Sequence, residues 1–280
     1  MKKYFILLSA ALVLASCSGN KNSQTEENPY AEELAFQEEQ IKAGMNQRLD
    51  SLTTLFLNMK PVTEIGFNEE GKVVLSADEK KVKPDYLFVP SEYDGKLETL
   101  SQKYRAIMIY YIDRIVAQAY DMSDIYAIPL AKLMTELNDP AINKLSTLSD
   151  KADKKAAMQD AYKTCEENGR LNYFWETNAA GIIERMFILS QNQDKLLAVM
   201  TDKDAEDITF QFMLLIEAYK ELAEYNTDLR QLYNACLKPL AKIDAISVAQ
   251  LREQLNSVKS DLYQSRSNLL LYKESRNFSK

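Results

Sequence analysis

Residues 172–190, NYFWETNAAGIIERMFILS, decide the fold class. The stretch has no proline, and a helix drawn over it is apolar on nearly every side, so it belongs in the middle of a protein. Its charges are confined to Glu176, Glu184 and Arg185, and Ala179-Ala180-Gly181 permits a neighbouring helix to approach closely. A helix buried all round needs partners of the same kind, and two others are legible. From Leu97, the residues Leu100, Tyr104, Ile107, Tyr111 and Ile115 form one stripe, and Met108, Ile112 and Val116 form a second. Few charges (Arg105, Asp113, Arg114) interrupt them. Asp204 to Tyr225 carries Ile208, Phe212, Leu215, Tyr219 and Leu222 at helical spacing. These segments predict a mainly α protein, an antiparallel multi-helix bundle.

The rest of the chain fits around this core. Asp121 to Leu137 reads as a shorter helix kinked or begun at Pro129 and broken by Asn138-Asp139-Pro140. Residues 141–153 are weakly patterned, and Lys154 to Glu167 form a more polar helix closed by Asn168-Gly169. Pro239 ends the continuation of the third apolar helix, and Ser247 with Gln250 makes a capping box. Val248, Leu251, Leu255, Val258, Leu262, Ser265, Leu269 and Tyr272 then alternate by threes and fours as a heptad seam. The partner expected for the seam is the N-terminal helix of the same chain rather than a second copy. That first helix is capped by Asn28-Pro29. It carries Leu34, Ile41, Met45, Leu49, Leu52, Phe56 and Met59, and ends before Pro61.

Between the first helix and Leu97 the pattern changes. Val62–Phe67 and Lys72–Leu75 flank Asn68-Glu69-Glu70-Gly71, which predicts a small β-hairpin excursion near residues 62–76. Residues 82–95, VKPDYLFVPSEYDG, hold two prolines, three aromatics and Asp94-Gly95. They read as an extended, packed crossing.

The N-terminus, MKKYFILLSAALVLASCSGN, gives the address. Two lysines precede an apolar run too short to span a bilayer, and small residues lead into Cys17. Leu14-Ala15-Ser16-Cys17 resembles the lipobox of bacterial lipoproteins, which implies cleavage before Cys17 and a lipid on its thiol. The organisation expected is a signal peptide over 1–16, a polar tether over 17–28 and one helical domain over 29–280. Two or three acyl chains make attachment effectively permanent. Ser18 stands where an Asp would resemble the inner-membrane retention signal, which favours the outer membrane. Glu26-Glu27 in the tether resembles a surface-export signal, so periplasmic leaflet and cell surface both stay open. No uncharged run of the mature part is longer than Ile208 to Ile216, far short of the roughly 20 apolar residues of a spanning helix.

Composition removes whole classes of chemistry. Without Lys2 and Lys3 the chain keeps 32 basic residues against 41 acidic ones, a formal charge of −9. Nucleic acid is therefore not an expected partner. There is no histidine in the 280 residues, which excludes His-based zinc sites, Ser-His-Asp and Cys-His machinery and imidazole acid–base work. It also excludes the imelysin-type lipoproteins, whose signature needs a histidine. Beyond Cys17, Cys165 and Cys236 fit a disulfide or two buried thiols equally well.

What chemistry remains rests on carboxylates and aromatics. Asp202, Asp204 and Glu206 alternate as calcium loops do, but Asp207 and Met213 stand where an EF-hand needs glycine and glutamate, so helix capping is the better reading and no metal is expected. Glu184, with Glu176 two turns earlier, marks a possible buried polar site, and a carboxylate-based hydrolase would need the two to meet in a cleft. The reading preferred is a structural Glu184 bonded to a tyrosine or a cation of a neighbouring helix. Among sixteen tyrosines, Tyr110, Tyr126 and Tyr173, together with Trp175, could line a groove for glycan or peptide, although tyrosines at helical spacing more often pack helices together. No phosphate-cradling loop, CxxC or GxSxG appears, so neither a cofactor nor a catalytic residue is assigned.

The lipobox, the long first helix, Lys83 to Pro90 (KPDYLFVP) and Gly181 to Phe187 (GIIERMF) together resemble mainly helical lipoproteins of Gram-negative anaerobic bacteria. The resemblance implies a lipid-anchored helical domain and no activity. The function expected is that of a non-enzymatic envelope lipoprotein that binds or supports a partner. A glycan- or peptide-binding surface module is the alternative.

Overall fold

The computed structural model describes residues 49, 51–58, 67, 73–139, 154–167, 171–225 and 227–273, all within the unit Ile41–Lys280. The signal peptide, Cys17, the tether, the Asn28-Pro29 cap, most of the first helix, residues 141–153 and Asn168-Gly169 lie outside them. The elements are α1 (51–58), α2 (Leu100–Ala119), α3 (Ala127–Leu137), α4 (Lys154–Glu167), α5 (Leu171–Gln191), α6 (Asp202–Tyr225), α7 (Val248–Ser257) and α8 (Lys259–Leu271). A one-turn helix, Gln193–Leu196, follows α5.

The protein is mainly helical, and among the described residues there is no strand. The hairpin expected near 62–76 is thereby corrected for Phe67 and for 73–76; the rest of it lies outside the described residues. Val73 and Leu75 are buried while Val74 and Ser76 are exposed. That alternation records an extended chain laid on helices, since both inward side chains join the cluster that contains Trp175 and Phe187.

α5 is the centre, with every residue from Leu171 to Glu184 except Asn172 buried. α2 packs along it in parallel. Tyr104 stacks on Tyr173 (ring centroids 4.4 Å apart, 12° between planes), Arg105 pairs with Glu176, and Met108 lies against Gly181. Partners thus rise together along both chains, which corrects the purely antiparallel bundle. The physical reason is that α3 intervenes and runs back along α2 to the end from which α2 started. α3 and α8 do run against α2: Lys103 pairs with Glu136 and Arg114 with Asp124, while Gln102 meets Leu271 and Asp113 meets Arg266.

Local signals explain the ends. Thr99 caps α2 in a full capping box with Gln102, so Leu97 stays outside the helix. Asp124 Oδ1 accepts from the amides of Tyr126 and Ala127 and starts α3, with Pro129 in its first turn. Asn138, at φ 45°, stops it. Ser247 caps α7 as expected, but Gln250 reaches back to the Ile246 amide. Before Pro239 the helix loosens into a π-turn, Tyr233–Leu237, because proline has no amide hydrogen to give.

The heptad seam is real but broken. Val258, at φ −108° and ψ 7°, separates α7 from α8, and Leu251, Leu255, Val258, Leu262, Ser265 and Leu269 are all buried. The seam packs on α5, α6, α2 and the π-turn; the first helix, its expected partner, is mostly outside the described residues. Cys165 and Cys236 are not joined in a disulfide, and both are buried. Burial pushes the Cys236 thiol up to about 12, so it stays protonated and inert.

At Gly181, α5 leaves room for Met108 of α2. A Cβ there would sit 2.9 Å from Met108 Cγ. Gly181→Ala should change stability by less than about 1 kcal/mol, because helix propensity gains what a flexible Met108 must yield. Gly181→Val should lower it by about 1–3 kcal/mol, read as a shift in urea midpoint.

Candidate functional site

α2 carries Arg105 and Asp113 eight residues apart, and α5 carries Glu176 and Glu184 at the same spacing. Because the helices run parallel in register, the four charges face one another in two pairs, about 12 Å apart along the axes. α8 runs the other way and supplies a partner to each.

At the first centre Arg105 Nη1 donates to Glu176 Oε2 at 2.5 Å, and Ser101 Oγ lies 3.1 Å from Glu176 Oε1. Arg105 Nη2 donates to the Tyr272 carbonyl at 2.6 Å, and Gln102 Nε2 to that of Leu271 at 3.0 Å. These are carbonyls that the end of α8 leaves without helical partners, so a buried cation there meets both the hydrogen-bond need and the negative end of the dipole.

At the second centre Arg266 Nε donates to both oxygens of Glu184, at 2.9 and 2.6 Å, and its Nη2 to Asp113 Oδ2 at 3.2 Å. Its third nitrogen, Nη1, donates to the Tyr86 carbonyl at 2.8 Å. The guanidinium is held between the rings of Phe88 and Phe187, 3.7 and 4.3 Å from their centroids. Burial works against the charge of Arg266, but Glu184 and Asp113 outweigh it and raise its pKa. Desolvation first, and then the charge of Glu184, push Asp113 well above the usual carboxylate range.

Residues 83–93 form a strap that lies antiparallel on α2. Lys83 Nζ donates to the Tyr120 carbonyl, and the Phe88 amide donates to Asp113 Oδ2 at 2.9 Å. Tyr126 Oη donates to the Phe88 carbonyl at 2.7 Å, and Asn192 Nδ2 to Tyr86 Oη at 2.7 Å. The strap then turns at Gly95, whose φ of 75° suits glycine, and leads into the Thr99 cap.

The structure places each residue singled out from the sequence. Glu184 is fully buried on Arg266. Glu176 is buried on Arg105 and lies two turns away, so the two glutamates do not face each other across a cleft. Tyr110, Tyr126, Tyr173 and Trp175 are all buried. Tyr110 and Tyr126 pack together with rings 6.0 Å apart, Tyr173 lies on Tyr104, and Trp175 sits in the other cluster against Phe56 and Phe174. They share no exposed face, because each ring is turned inward against another aromatic ring. Asp204 accepts from the amide and hydroxyl of Thr201 at 2.7 Å, and Asp202 Oδ1 from the Val248 amide at 2.8 Å. Glu206 pairs with Lys203. Among the described residues no group of three potential ligands could hold a metal, and no helix is long and apolar enough to cross a membrane.

The sequence reading did not assign roles to Asp113 or Arg266. The signal was available: an aspartate inside an apolar stripe, an arginine beside a seam position, and a repeated spacing of eight on two buried helices.

Residues 1–18 match the prokaryotic membrane lipoprotein lipid attachment site. No curated protein and no solved structure matches the chain. The class this defines is a membrane-anchored lipoprotein. What lies beyond the anchor is a mainly helical domain with two buried arginine–carboxylate centres.

Proposed function

We propose that this chain is a non-enzymatic outer-membrane lipoprotein, moored by lipid on Cys17, whose helical domain binds or supports a protein partner in the envelope. The observation that carries this is the lipid attachment site over residues 1–18. Ser18 in place of an aspartate favours the outer membrane. The closed state of the carboxylates favours a non-enzymatic role: Glu176 and Glu184 are each sealed from solvent by an arginine, so neither is offered to a substrate. A formal charge of −9 after cleavage favours a protein partner over nucleic acid.

Cys17→Ser tests the reading. Membranes separated on a density gradient should hold the wild type in the outer-membrane fraction. The variant should leave the membrane fraction altogether, with its helical circular dichroism unchanged. A variant that stays membrane-bound would refute the anchor, and a wild type found in the inner membrane would refute the address. Crosslinking in intact cells should give the wild type one reproducible protein adduct that the released variant loses.

A further inference from the structure

Where α2, α5 and α8 meet, two carboxyl groups share one cation. Asp113 and Glu184 are 0% exposed and Arg266 is 3% exposed. With both carboxyls ionised the cluster would hold a net negative charge out of reach of water, which is strongly disfavoured. The hydrogen bonds show where a balancing proton goes. Both Glu184 oxygens accept from Arg266 Nε, so Glu184 is the carboxyl that the cation engages most closely. Asp113 Oδ2 already accepts from the Phe88 amide and Arg266 Nη2. Asp113 Oδ1 is buried without a hydrogen-bond partner, and both carboxyls are gathered on the one Arg266 guanidinium.

We propose that Asp113 Oδ1 carries a proton and donates it to Glu184, and that this proton latches the 83–93 strap onto the helical core. The strap depends on the cluster at three points: the Tyr86 carbonyl on Arg266, the Phe88 amide on Asp113, and the Phe88 ring over the guanidinium. Removing the proton leaves two buried carboxylates repelling each other under one arginine. The relief open to the fold is to lift the strap and admit water.

The other groups facing Asp113 do not supply the proton's charge balance. Tyr86 from the strap, Tyr126 at the start of α3 and Tyr110 on α2 itself are all pushed up by burial and stay neutral. Glu184 from α5 and Arg266 from α8 are the charged neighbours. Asp113 therefore takes up a proton in the folded state above the ordinary Asp value of about 3.9. Its contribution to stability is fully present below that value and is lost as pH rises toward the raised folded value.

The test uses the full-length protein in detergent micelles, between about pH 5 and about pH 9. Thermal melts follow Trp175 fluorescence, and hydrogen exchange follows the Phe88 amide. Wild type should lose about 5 °C or more in Tm as pH rises, with protection at Phe88 falling in step. Asp113→Asn replaces the acid by an amide whose N–H donates to Glu184 unconditionally. It should abolish that slope and melt above wild type at the alkaline end. Infrared spectra should show a protonated-carboxyl stretch in wild type that is absent from Asp113→Asn. Glu184→Gln should lose the stretch too, since the new amide then donates to an ionised Asp113. The double variant strands Arg266 and should melt well below either single one. A wild type without that stretch, or an Asp113→Asn protein that keeps the wild-type slope, overturns the proposal. Should Asp113→Asn not fold, the wild-type and Glu184→Gln spectra decide.

Discussion

Arg266→Met should lower the unfolding free energy by about 3–5 kcal/mol, a large share of the 5–15 kcal/mol that holds a typical domain. The methionine keeps an apolar stem of similar length but not the guanidinium held between the Phe88 and Phe187 rings. What disappears is the cation under two buried carboxyl groups, together with the donor to the Tyr86 carbonyl. Breaking one partner of a buried ion pair is far worse than never having it. Exchanging all three together (Asp113→Leu, Glu184→Met, Arg266→Met) should therefore recover most of the loss. Urea unfolding read through Trp175, the sole tryptophan, checks both. A single variant within about 1 kcal/mol of wild type would show that Arg266 does not bridge these helices.

The second large effect is Ile182→Asp. Ile182 lies in the core beside Gly181. A carboxylate placed there replaces an apolar side chain only 6% exposed in the core. A loss of about 4 kcal/mol or more is expected, with Trp175 emission shifting to the red as α5 loses its packing. An unchanged melting temperature would mean that this face of α5 is not buried.

These two positions also show how far a pattern of residues reaches. Asn172 to Ser190 could be recognised as a central helix because its apolar residues cover nearly the whole circumference, and only an interior satisfies that. The stops at Asn138 and before Pro239 were equally plain, since φ above zero and a missing amide hydrogen are local facts. The Lys72–Leu75 run misled as half of a hairpin because an extended chain with alternate side chains inward is received by a helix layer as readily as by a sheet. The seam from Val248 to Tyr272 identified a buried stripe. It did not identify the partner, nor the break at Val258, because leucine packs against any apolar surface.

The aromatic residues carried the same ambiguity in sharper form. Tyr110, Tyr126, Tyr173 and Trp175 have faces suited to a sugar ring and equally suited to each other. In the fold they meet Tyr126, Tyr110, Tyr104 and Phe56. Thr99-Gln102 as the true start of α2 was readable as a capping box, yet the apolar Leu97 drew the boundary three residues early.

The chain's residues alone determined that the protein carries a lipid attachment site, that it is built from helices, and that no imidazole is available to it. Each of these is a property of neighbouring residues or of composition, and needs no knowledge of what lies across the core. Only the tertiary structure decided that α2 and α5 run in parallel, so that Arg105 finds Glu176 and Asp113 finds Glu184. It alone brought Arg266, eighty-two residues beyond Glu184, between them. A charge in an apolar stripe signals that some partner must exist, because burial without one is too costly. Which partner answers depends on helix direction and register, and those are set by loops and packing far away along the chain.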